Sequence, residues 1–133
     1  MTLPEPLQGQ RTAALKAVLE AYPGAGAFPV PMPRGRSSGA VMYKVMAKIF
    51  AILNIRGEEA VLVKCDPDWS DLLREQYQGI GRRSHLDPRR WIYVKLDADV
   101  PPEEVERLVA RSYELVCSGL TKKQRAELAA LSN

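Results

Sequence analysis

Histidine occurs once, at His85, and cysteine twice, at Cys65 and Cys117. One histidine and two distant cysteines cannot assemble a standard zinc site, so no metal is expected. Nor do two isolated thiols make a disulfide framework; they read as buried thiols of a reducing, cytoplasmic compartment. Long apolar runs are missing as well. The longest, Ile49 to Leu53, is far short of a membrane span, and the start MTLPEPLQGQR has no basic, then apolar, leader pattern. No membrane partner follows from such a sequence. Gly24-x-Gly26 and Gly79-x-Gly81 lack the further glycine and strand–helix setting of a dinucleotide site, and no Gly-Lys-Ser/Thr is present. They read as turns, and no cofactor is expected.

What is present is an ordinary globular composition, 46% hydrophobic and 26% charged over 133 residues. It suits one domain, residues 1–133, with a core and no staples. The net charge of +3 is concentrated. Residues 81–95 hold five of the 19 basic residues (Arg82, Arg83, Arg89, Arg90 and Lys95) and one of the 16 acidic ones, Asp87. The rest of the chain is slightly acidic, so an anionic partner belongs at this segment first.

After a loose start over 1–7, Leu15, Val18, Leu19 and Tyr22 share one helical face, and Pro23-Gly24 stops the helix. A short strand near Phe28–Val30 is restricted to a sheet edge by Pro29, Pro31 and Pro33. Residues 34–40 read as a flexible basic loop with arginines suited to an anion. Three β-rich runs follow, Val41–Val45, Lys48–Asn54 and Ala60–Lys64, joined by brief turns as antiparallel hairpins. Asp66 suits an N-cap and Pro67 the first turn of a helix to about Tyr77, with Trp69, Leu72, Leu73 and Tyr77 on its buried face. Residues 78–90 form a loop. Trp91–Leu96 is a strand whose Ile92, Val94 and Leu96 face inward, with Trp91, Tyr93 and Lys95 on the opposite face. Pro101-Pro102 opens a helix to about Cys117, with a stripe of Val105, Leu108, Val109, Ser112 and Val116. Gly119 ends it, and Thr121 and Gln124 have capping-box spacing for a last helix. The fold class is α+β: a two-layer sandwich, an antiparallel sheet with helices packed on one face.

Four stretches in this order resemble the MmcQ/YjbR family: YKVMAKIFAIL (43–53), LVKCDPDW (62–69), HLDPRRWIYVKLD (85–97) and SYELV (112–116). The resemblance implies a frataxin-like (CyaY/YjbR-like) sandwich and a role in DNA binding through projecting hairpins, a double wing. The chain departs from the family pattern in two places. Met46-Ala47 replaces the usual glycines of the first hairpin, where a tight turn would be strained. Asp87-Pro88 replaces an Asn-Lys pair. Frataxin-like iron binding would need an acidic ridge, and the first helix offers only Glu20.

The function expected is therefore non-enzymatic nucleic-acid binding through Arg82, Arg83, Arg89, Arg90, Trp91, Tyr93 and Lys95. Arginines would contact phosphates and aromatics would stack on bases. His85 is a pocket residue or loop anchor; a Cys65–His85 catalytic pair lacks any visible third group. Ser112 and Tyr113 read as structural hydroxyls bonded to backbone. Two other functions fit the same sequence: an adaptor using the open sheet face, and a small-molecule or anion-binding protein. An edge strand would also suit a homodimer.

Overall fold

The structure, a computed structural model, describes residues 9–32, 39–82 and 86–132. The loose start, most of the 34–40 loop, Arg83 and His85 lie outside the described residues. In chain order the elements are α1 (Gly9–Glu20), β1 (Ala25–Pro29), β2 (Ala40–Val45), β3 (Lys48–Asn54), β4 (Ala60–Lys64), α2 (Pro67–Gln76), β5 (Ile80–Gly81), β6 (Trp91–Lys95), α3 (Pro102–Ser118) and α4 (Lys122–Ser132). The strands form one antiparallel sheet in the order β1-β2-β3-β4-β6-β5. The helices pack on it, as the α+β reading expects. The two-residue strand β5 falls inside the stretch read as a loop.

Alternation sends Val61, Val63, Ile92 and Val94 toward the helices, where they join Leu19, Phe50, Leu53 and Val109 in the main core. The stripe Val105, Leu108, Val109, Ser112 and Val116 is the buried face of α3, as its spacing predicts. At β3 the register slips between Tyr43–Ala51 and Lys44–Ile49, which leaves Phe50 as an extra, bulged residue. The bulge turns Phe50 under α1 and α3, where its ring meets Tyr22 (5.7 Å) and Tyr113 (5.2 Å) edge-on. It also strands backbone groups. Ser112 repairs this by donating to Phe50 O at 2.6 Å and accepting from Lys64 N–H at 2.8 Å. Tyr113 donates to Pro23 O at 2.6 Å. Both hydroxyls are structural, as expected.

Several local rules are replaced by tertiary ones. Asp66 makes no side-chain cap to α2; its carboxylate takes Arg111 of α3 at 2.8 Å instead. The buried residues of α2 are Ser70 and Leu73, while Trp69 (56% exposed) and Leu72 (59%) face solvent, contrary to the face read from sequence. The Thr121–Gln124 capping box forms reciprocally at 3.0 and 3.1 Å. The β2–β3 turn is a tight pair with Met46 at φ 50° and Ala47 at φ 70°, the strained geometry anticipated for non-glycine residues.

Edge strand β1 is poorly equipped to pair outward. Val30 N–H bonds Ala40 O at 3.1 Å, so the even residues of β1 donate to β2 and the odd ones point away. Of those odd residues, Ala25 donates to Tyr22 O and Pro29 has no N–H. Ala27 is left as the outward donor of the strand, a weak template for a second copy.

Candidate functional site

The face of the sheet turned away from the main core is built in rows by the strand register. Phe28, Met42, Ile52, Leu62 and Tyr93 stand opposite one another across five strands and form an apolar row. Beside it, toward the β2–β3 turn, lie the pairs Lys44–Ile49 and Lys64–Trp91. On its other side lie Asn54 and the pair Ala60–Lys95. The six strands carry no carboxylate; their charged residues are Lys44, Lys48, Lys64 and Lys95. Lys48 turns to the end of α3, its Nζ 3.4 Å from Gly119 O. The other three belong to the open face. Lys44 sits over the Phe28 ring at 5.2 Å, and Lys95 lies 3.6 Å from Glu58. Lys64 has no side-chain partner among the described residues.

Leu62 and Tyr93 are buried even on this face, because Ile52, Leu86 and Trp91 pack against them. The apolar row is thus mostly filled in, and Phe28, at 48% exposure, is its bare end. Tyr93 is pinned as well. Its hydroxyl donates to Glu58 Oε1 at 2.5 Å and lies 3.4 Å from Asn54 Nδ2. Its ring therefore offers no open stacking surface, unlike the role read for it from sequence.

The basic loop before β6 is organised by a residue that sequence reading passed over. Arg74, on α2, is largely shielded from solvent and donates to the carbonyls of Gly81 (3.4 Å), Pro88 and Trp91 (3.2 Å). Its side chain also pairs with Asp71 at 3.3 Å. Burial, then repulsion from Arg82, lowers its pKa from the usual guanidinium value, which still leaves it charged at neutral pH. Ser70 Oγ lies 2.9 Å from Pro67 O and 3.2 Å from Arg89 O, and Cys65 N–H donates to Arg90 O at 2.7 Å. Asp87 closes the turn: Oδ1 accepts from Arg89 N–H, and its carbonyl accepts from Arg90 and Trp91 N–H, all at 3.0 Å. With their backbone held from below, Arg82, Arg89 and Arg90 extend into solvent. Arg90 keeps only a loose 3.7 Å contact with Asp87. Trp91 is half-buried at the start of β6.

Of the residues singled out by sequence, Arg89, Arg90 and Trp91 sit together with Lys64. Lys95 and Tyr93 lie further along β6, and Arg82 follows the end of β5. Lys44 and Lys64 were not singled out, although strict alternation with Tyr43, Val45, Val61 and Val63 places them opposite the core. Burial raises the pKa of Cys65, helped by nearby Asp66, so its thiol stays protonated at neutral pH. Among the described residues no three His, Cys, Asp or Glu side chains gather as metal ligands, and no helix is long and apolar enough to cross a membrane.

The family model described as YjbR matches residues 16–115. Over 93 residues the chain is 30% identical to the uncharacterized protein YjbR of Escherichia coli K12, covering 69% of this chain and 79% of that one. It is 28% identical over 85 residues to the uncharacterized protein YbdF of Escherichia coli O157:H7, covering 63% and 70% respectively. Among solved structures it superposes on the Deinococcus radiodurans protein DR2400, a DUF419 domain, with a TM-score of 0.75 at 29% identity, covering 96% of this chain and 92% of that one. A Pseudomonas syringae protein has the same fold, with a TM-score of 0.62 at 18% identity over 80% of this chain and 98% of that one.

Proposed function

The chain belongs to the YjbR family, and from that premise we propose that it binds nucleic acid, without catalysis, on the open face of its sheet. One observation carries the reading: every charged side chain that the strands supply is a lysine, and three of the four stand on the face that the helices leave uncovered. A face whose strands hold cations and no carboxylates attracts a polyanion and repels acidic protein surfaces. Arg89 and Arg90 prolong the same positive strip beyond β6, at the end where Lys64 and Trp91 stand. Arginine suits phosphate because its planar fork donates two parallel hydrogen bonds.

The contacts are with backbone phosphates and with whichever base faces are free, so the binding is weakly sequence-specific and salt-sensitive. The adaptor alternative has less support on this face, since its apolar row is largely filled by its own neighbours.

Fluorescence anisotropy of labelled single- and double-stranded oligonucleotides, at several salt concentrations, tests the proposal. Micromolar binding is expected, with a log–log salt slope of about −3 for single strands, corresponding to roughly four phosphates. Lys44→Ala/Lys64→Ala and Arg89→Ala/Arg90→Ala should each flatten that slope by about 1.4. No binding at low salt, or binding by both double variants as tight and as salt-sensitive as that of the unaltered protein, would overturn it.

A further inference from the structure

The open face ends in a concavity at the foot of the sheet. Ala47 and Lys48 of the β2–β3 hairpin, Lys64 of β4, Trp91 of β6, and Val116 and Gly119 at the end of α3 line a hollow of roughly 390 Å³. That volume lies within the range of small-ligand sites. Its charges distinguish it from the groove between α2 and α3, where Arg107 pairs with Glu104 and Arg111 with Asp66. No carboxylate lines the hollow at the sheet's foot. The Lys64 ammonium has no partner among the described residues. Lys48 spends one donor on Gly119 O at 3.4 Å and, as an ammonium, keeps two more. Trp91 contributes a half-buried indole whose N–H also has no partner among the described residues.

Two cations and an indole at one small hollow match the two ends of a nucleotide, phosphate and base. Resting on the nucleic-acid reading of the open face, we infer that this hollow is a subsite for one unpaired nucleotide: its phosphate is held by Lys48 and Lys64, and its base lies against Trp91. A base paired within a duplex cannot leave its stack to enter without being flipped out, which costs a few kcal/mol. The subsite therefore makes the face selective for single strands over duplexes. A base stacked on an aromatic ring contributes about 1–3 kcal/mol by alanine substitution. That corresponds to a single-strand preference of about fivefold or more.

The test uses the two tryptophans. Trp69 is exposed on α2 and does not line the hollow, so Trp69→Phe leaves Trp91 as the sole indole. In that variant Trp91 fluorescence is titrated with adenosine monophosphate, adenosine and inorganic phosphate. Saturable quenching by the monophosphate in the millimolar range is expected, with adenosine at least about fivefold weaker. Lys64→Ala should weaken the monophosphate by a similar factor, whereas Arg107→Ala, in the groove between α2 and α3, should leave it unchanged. If oligonucleotides bind in the anisotropy assay but the monophosphate gives no saturable signal, or Lys64→Ala has no effect, the subsite is overturned and the face reading stands. If the monophosphate quenches and oligonucleotides do not bind, the subsite stands and the face reading falls.

Discussion

Ile92 and Val94 point from β6 into the space beneath the helices, while Trp91, Tyr93 and Lys95 point the other way. The same alternation runs through β4, with Val61 and Val63 against Leu62 and Lys64. The covered face is closed to water, so its polar groups depend on partners within the protein, and the buried Tyr43 hydroxyl is the exception, with none among the described residues. Ser112 exists there to serve two backbone groups stranded by the bulge. The open face tolerates charge because water can solvate it: Tyr93, Asn54 and Lys95 are engaged with Glu58, but the Lys64 ammonium has no partner among the described residues and is left for another molecule. The two faces thus differ less in apolar content than in whether water can reach a polar group that the protein does not pair.

The largest expected break in that contrast is Ser112→Ala. It removes a hydroxyl that accepts from Lys64 N–H and donates to Phe50 O, leaving two shielded backbone groups unsatisfied. At about 1–3 kcal/mol for each, a loss of about 3 kcal/mol is expected. Chemical denaturation should show it as a lower midpoint with an unchanged m-value. On the open face, Lys64→Ala should change stability by less than about 0.5 kcal/mol. Equal losses in the two variants would mean that the faces do not differ in this way.

Arg74 sits between the two regimes, since it is a shielded cation whose acceptors are the backbone carbonyls of the exposed loop. Arg74→Met keeps much of the stem and removes the donors, and a loss of about 2 kcal/mol is expected. The more telling readout is local. Amide exchange at Arg90 and Trp91 should speed up more than exchange in α3, because their turn loses its support. Oligonucleotide affinity should fall about threefold as Arg89 and Arg90 lose their fixed base. Uniform acceleration across the molecule would make Arg74 an ordinary core residue.

How much of this could be read in advance followed the range of the interaction involved. The α3 stripe, the Thr121–Gln124 box and the backbone-bound hydroxyls of Ser112 and Tyr113 are set by spacing along one helix, or by burial alone, and all are present. Asp66 was misread because a long-range competitor, Arg111, takes the carboxylate that local rules assign to α2. The face of α2 was misread because Ser70, bonded toward Arg89 O, takes an inward position that hydrophobicity assigns to Trp69 and Leu72. Strand β5 is too short to show a period. On the candidate face, linear charge density pointed to residues 81–95, whereas Lys44 and Lys64 become neighbours of that strip only through the order β2-β3-β4-β6.

The smallest effect concerns the turn where the two faces meet. Met46 and Ala47 both hold left-handed backbone, which costs an L-residue roughly 1–2 kcal/mol each. Met46 packs its side chain against the main core, so a glycine there would exchange strain for lost burial. Ala47 makes no such contribution to the core and is the cleaner site. Ala47→Gly removes the strain but adds unfolded-state entropy worth about 0.5–1 kcal/mol. A net gain of about 0.5 kcal/mol is expected, visible as a raised denaturation midpoint. Ala47 also lines the hollow that holds Lys48, Lys64 and Trp91. If the strained turn only closes the hairpin, the glycine variant gains stability and binds the monophosphate as before. If the turn holds Lys48 in position, the same variant gains stability and binds more weakly, which would place part of the strain in the service of the open face.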